Sequence, residues 1–115
     1  MTGLRPRRAS AGALALSVSA ALAAPAAWAA DAAAGRQKAL ACGVCHGPLG
    51  LSQAPDAPHL AGQPAMYLAA QLKAYRSGSR RHEVMAVIAK PLSDDDIENL
   101  AAWFSSQKIS VQSPP

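Results

Sequence analysis

The chain's only two cysteines stand at Cys42-Gly43-Val44-Cys45-His46, with a histidine directly after the second. Four chemistries fit that grouping. A zinc site needs a fourth ligand, for which His59 and His82 are available, but three adjacent ligands close a tetrahedron awkwardly. A thioredoxin-like thiol pair requires a βαβ setting. A disulfide across two residues closes a tiny loop and stabilises little. The last is covalent haem attachment, for which C-x-x-C-H is the signature. Two thiols spaced on one helical turn match the two vinyl groups of the macrocycle, and the next residue aims an imidazole at the iron. Covalent haem is the expected chemistry, with Cys42 and Cys45 as thioethers and His46 as an axial ligand.

The amino terminus sets the compartment. Arg5, Arg7 and Arg8 precede an uncharged run of small and apolar residues from Ala9 to Ala24, and Ala27-Trp28-Ala29 has the A-x-A cleavage pattern. This is the layout of a secretory signal peptide over residues 1–29, placing the domain in the periplasm, an oxidising compartment. The alternative is an uncleaved anchor, since no charge falls between Arg8 and Asp31. The segment after Arg7-Arg8 offers little support for twin-arginine export. Three of the 11 basic residues lie in the signal and none of the seven acidic ones does, so residues 30–115 carry eight basic and seven acidic side chains, a net of +1. No sustained basic run remains, which excludes a nucleic-acid partner on charge grounds.

About 86 residues then remain, expected as one small domain over 30–107 with a flexible tail at 108–115. Its aromatics are only Tyr67, Tyr75, Trp103 and Phe104. A core that thin needs a disulfide, metal or cofactor to complete it. A haem supplies the missing apolar volume.

The remaining pattern reads all-α. Asp31 caps a helix expected to run to about Cys42. Gly35 inside it marks either a close approach by another backbone or a frayed first turn. Residues 47–63 hold three glycines and three prolines, a loop long enough to wrap a ligand. Pro64 opens a second helix that ends at Gly78, with Leu68, Leu72 and Tyr75 on one face. Residues 79–92 lack a clean period and are expected to form a loop, with one helical turn near Val84 to Ile88. Ser93 and Asp96 make a capping box for the last helix, which buries Ile97, Leu100, Ala101 and Phe104 and ends near Gln107.

A second axial ligand must come from Met66, Met85, His59 or His82. Met66 reads as a packing residue on the second helix. His59 and His82 read as solvent-facing. Met85, inside the apolar stretch "VMAVIA", is the expected ligand, with an ordinary core residue as the alternative. His/Met ligation raises the reduction potential relative to two histidines.

These residues resemble the class I c-type cytochromes, close to one half of the bacterial dihaem cytochromes of the c-four type. The resemblance covers nearly all of residues 31–107. It runs through "GRQKALACGVCHG", "PHLAGQPAMYLAAQLKAYRSGSR" and "VMAVIAKPLSDDDIENLAAWF", in the family's order. It implies about three core helices around one covalently bound haem c, with Met85 as the methionine ligand. It also implies that the Pro58 carbonyl accepts the His46 Nδ1–H, and that Gly35 lies where the first and last helices cross. Leu49 departs from the pattern, since an acid is common there, and the single haem motif removes the two-haem relay. The implied function is a periplasmic single-electron carrier, or the small electron-transfer subunit of a dehydrogenase, with redox proteins as donor and acceptor and no catalysis of its own. Such a protein is a monomer or a small subunit of a complex. A haem sensor or peroxidase-like enzyme with a labile sixth ligand is the alternative. Arg80, Arg81 and Lys90 make either a docking patch or a solvated face.

Overall fold

A computed structural model of the chain describes Gly3 and residues 29–115. The expected signal segment, apart from Gly3 and Ala29, lies outside the described residues. Among the described residues five helices follow in order: α1 (Ala32–Lys38), α2 (Gly43–His46), α3 (Ala65–Ser77), α4 (Glu83–Ala89) and α5 (Asp94–Ser105). The described residues contain no strand, and none of their helices is long and apolar enough to cross a membrane.

The centre is the crossing of α1 and α5. Asp31 accepts from Ala33 N (2.8 Å) and Ala34 N (3.2 Å), satisfying two of the donors a helix start leaves open, while its own N–H donates to Asn99 Oδ1 at 2.7 Å. Gly35 is buried at the contact. A Cβ there would overlap the Asn99 carbonyl and lie 3.0 Å from Trp103 Cβ, so the close-approach reading of Gly35 is correct. The Arg36 guanidinium sits 5.6 Å from the Trp103 ring centroid, and Lys38 pairs with Asp96 at 2.9 Å.

α3 packs on the other side of α5. Leu68 and Ala69 are buried and Leu72 is half-buried against the same core. Pro64 stands at the N-cap, and Gly78 ends the helix in the left-handed conformation at φ 82°. Lys73–Glu98 and Arg76–Asp94 bridge α3 and the start of α5, and Arg76 also donates to Leu92 O at 2.9 Å. The expected apolar face of α5, Ile97, Leu100, Ala101 and Phe104, is buried in full, and the capping box of Ser93 and Asp96 is present. Among the described residues, Ile97 and Leu100 are the largest side chains that are completely buried. At about 1.5–3 kcal/mol each, they leave the protein part of the core small, as the composition implied.

Two expectations are corrected. The first helix does not run to Cys42. It stops at Lys38, and residues 39–42 form turns before α2. Ala39 is buried and Cys42, three residues on, packs against the same core, so the turn keeps both inward. Residues 79–92 hold more helix than the single turn expected near Val84 to Ile88. They contain α4, seven residues long and packed on α3, whose N-cap is His82, accepting from Met85 N at 3.2 Å.

The segment 47–63 is irregular but anchored. Gly50 O accepts from Leu60 N (2.7 Å) and Ala61 N (3.1 Å), and Gly62 N donates to Phe104 O (2.9 Å) at the end of α5. Gly50 has φ 83°, and a Cβ on it would lie 2.8 Å from both Ala61 N and Phe104 Cδ1. Both the left-handed backbone and the crowding require glycine there. After α5 the chain is irregular, with Ile109 close against Gly62.

Candidate functional site

Cys42 has helical dihedrals (φ −70°, ψ −30°) and forms the N-cap of α2. Its carbonyl accepts from His46 N at 3.0 Å, and Gly47 N donates to Gly43 O at 3.0 Å, so Cys42, Cys45 and His46 occupy one continuous helical turn. Both cysteines are free thiols; Cys42 is half-buried and Cys45 exposed. Burial pushes the Cys42 thiol pKa up, only partly offset by its own backbone hydrogen bond.

His46 is buried, 8% exposed, and its Nδ1 lies 2.8 Å from Pro58 O. A carbonyl only accepts, so Nδ1 carries the ring proton and Nε2 keeps its lone pair for another partner. Pro58 is 12 residues away in sequence, and the anchored loop brings it to the motif. Met85 is half-buried on α4. Among the helices α4 packs only on α3, and α2 packs on none, so His46 and Met85 stand on elements that do not pack together.

The other candidates fall into place around this site. Met66 does not pack: it is 87% exposed at the start of α3, where only the next turn, with Leu68 and Ala69, faces the core. His82 is exposed and caps α4. His59 is exposed, but its Nδ1 accepts the Ser52 backbone N–H at 2.9 Å. Arg80 is held over the Tyr75 ring, 4.6 Å from its centroid, and donates to Gln71 Oε1 at 2.6 Å. Ser52 was not singled out by sequence reasoning. It is buried, and its hydroxyl donates to Cys45 O at 3.0 Å. A polar residue inside a Gly/Pro-rich loop beside the motif was the one available signal.

The donor set suits a haem. It offers two thiols on one turn, an imidazole with a free Nε2, and a thioether on a separate element. The surroundings suit it as well. Val44 on α2, Leu49 and Leu51 in the loop, and Val84, Val87 and Ile88 on α4 are large apolar side chains left exposed, Val44 by 87% and Val87 by 71%. The apolar side chains left exposed on the motif, its loop and α4 fit an apolar group that they would cover.

The family model described as cytochrome c matches residues 32–108. Cytochrome c4 of Pseudomonas aeruginosa is 48% identical over 81 residues, covering 70% of this chain and 40% of that protein. Cytochrome c-554(548) of Halomonas halodenitrificans is 47% identical over 81 residues, covering 68% of this chain and 98% of that one. The crystal structure of reduced cytochrome c4 from Pseudomonas stutzeri superposes with a TM-score of 0.68 at 47% identity, over 72% of this chain and 48% of the other. Other relatives bear the name thiosulfate dehydrogenase electron acceptor. The chain thus spans about two fifths of the length of the cytochrome c4 relatives it matches. The chain belongs to the cytochrome c family, with the class I all-α fold and one covalently bound haem c.

Proposed function

We propose that the chain is a periplasmic single-electron carrier, or the small electron-accepting subunit of a dehydrogenase. The observation that carries this is the His46 Nδ1–Pro58 O hydrogen bond beside two free thiols on one helical turn. When bound, haem c supplies a reversible one-electron Fe(III)/Fe(II) couple. Cys42 and Cys45 would hold it as thioethers, and His46 Nε2 and the Met85 sulfur would be its axial ligands. The Pro58 carbonyl fixes the His46 ring and raises its basicity. With His46 and Met85 both holding the iron, no position on it would be left for a substrate, which argues against catalysis.

The compartment follows from Arg5, Arg7, Arg8 and the Ala27-Trp28-Ala29 pattern. A redox protein is the fitting partner, and relatives named as electron acceptors of thiosulfate dehydrogenase support a place beside an oxidising enzyme. Of the basic residues near α4, Arg80 is engaged by Tyr75 and Gln71, which leaves Arg81 and Lys90 as the exposed charges for brief docking.

A redox titration of the purified protein tests the function. One reversible transition with the slope of a single electron, and no consumption of added peroxide, is expected. Peroxide turnover by the untreated protein contradicts the carrier reading.

A further inference from the structure

The bond from His46 to Pro58 depends on a loop that is poorly supplied with backbone hydrogen bonds. Residues 53–58 include Pro55 and Pro58, neither of which has an N–H to donate. Their only mutual backbone bond is a long one, Ala57 N to Ala54 O at 3.4 Å. Leu60 N and Ala61 N on Gly50 O anchor the chain after Pro58. What ties the other arm of the loop to Pro58 is a side chain. Ser52 N donates to His59 Nδ1 at 2.9 Å. The single hydroxyl proton of Ser52 is shared between Cys45 O (3.0 Å) and Ala54 O (3.2 Å), and its oxygen accepts from Ala54 N at 3.0 Å.

These bonds close a ring. Cys45 and His46 are adjacent in the chain, as are Pro58 and His59. Ser52 bonds to Cys45 through its hydroxyl and to His59 through its N–H, and His46 completes the circuit on Pro58 O. Every link is 3.0 Å or shorter. The link at His59 requires the Nδ1 lone pair, so the ring proton sits on Nε2.

We propose that His59 is a positioning residue for the redox centre: its imidazole ties Ser52 to the Pro58–His59 peptide and thereby holds the Pro58 carbonyl on His46 Nδ1. Its hydrogen bond goes to Ser52 and not to His46, Cys42 or Cys45. A firmly held carbonyl makes the imidazole a stronger donor, which favours the ferric state. Loosening it shifts the balance towards ferrous and raises the potential. The inference rests on His46 as an iron ligand.

The test uses the ferrous holoprotein, labelled with nitrogen-15, as wild type, His59→Ala and His59→Asn. Asparagine Oδ1 sits as many bonds from the backbone as histidine Nδ1 and accepts in its place. Loss of one hydrogen bond speeds exchange of the Ser52 N–H and the His46 Nδ1–H by roughly three- to tenfold in His59→Ala. The amides of Leu100 and Phe104 in α5 keep their wild-type rates, and the potential rises. His59→Asn restores both exchange rates and the potential. An unchanged His46 Nδ1–H rate or potential in His59→Ala, or failure of His59→Asn to restore them, overturns the proposal. Failure of the ligand reading shows separately in the wild type, as a His46 ring lacking the strong upfield shift of an axial imidazole.

Discussion

Replacing Gly35 by alanine tests the packing that positions the whole domain. A Cβ at Gly35 would lie 2.5 Å from the Asn99 carbonyl carbon and 3.0 Å from Trp103 Cβ. Ordinary carbon contacts are about 3.5–4.0 Å, so α1 and α5 must part by about 1 Å. Asn99 is held from the other side, because its Oδ1 accepts the Asp31 N–H at 2.7 Å, and that bond stretches as the helices separate. The Arg36–Trp103 stack and the Lys38–Asp96 pair span the same contact. Overpacking of this kind costs about 1–3 kcal/mol, and the stretched Asp31–Asn99 bond adds about 1 kcal/mol. Alanine returns about 1 kcal/mol through helix propensity. The net loss is about 2 kcal/mol, which for a domain this small lowers Tm by roughly 8–16 °C. Thermal melts of the holoprotein followed by far-ultraviolet circular dichroism measure it. An alanine variant as stable as wild type would refute the reasoning, since propensity alone predicts a gain.

Other perturbations read other parts of the fold. Ser93→Ala removes the acceptor for Asp96 N and should cost about 1 kcal/mol in urea unfolding with an unchanged slope. The Asp96 carboxyl is held below its ordinary value of 3.8, first by the hydrogen bond from Lys38 and then by the Ser93 N–H. Because the folded pKa is the lower one, this stabilisation is complete above the unfolded value and is lost as pH falls through the folded value. Melts between pH 2 and 5 should therefore drop less steeply in Asp96→Asn than in wild type, and equal slopes would remove Asp96 from the acid limb. Replacing both Cys42 and Cys45 by alanine should abolish haem staining after denaturing electrophoresis, whereas wild type stains.

How much of this was legible depends on how local each interaction is. The caps of Asp31 and Ser93, the Pro64 and Gly78 boundaries and the apolar face of α5 are settled within a turn or two of chain, and the sequence pattern carried them. The helix α4 was read as no more than a single turn because its N-cap is His82, an uncommon capping residue, and because Val84, Val87 and Ile88 give no buried periodicity: all three are exposed. The break at 39–42 was missed because Ala39, Leu40 and Ala41 are good helix formers and no Gly or Pro marks a stop there. Gly35 stood out as an anomaly, but its partner Asn99 is 64 residues away. Pro58 entered through the family resemblance alone, and the Ser52–His59 pairing had no signal beyond a polar residue in the loop, because a Gly/Pro-rich loop carries no period from which register can be read.

The most direct measurement of the central claim is the absorption spectrum of the ferric holoprotein in wild type and Met85→Ala. With His46 and Met85 both on the iron, wild type is low-spin, shows the weak far-red band of methionine-ligated ferric haem, and in the ferrous form resists carbon monoxide. Met85→Ala loses that band and binds carbon monoxide. A wild type that is high-spin and takes up carbon monoxide readily would contradict the account.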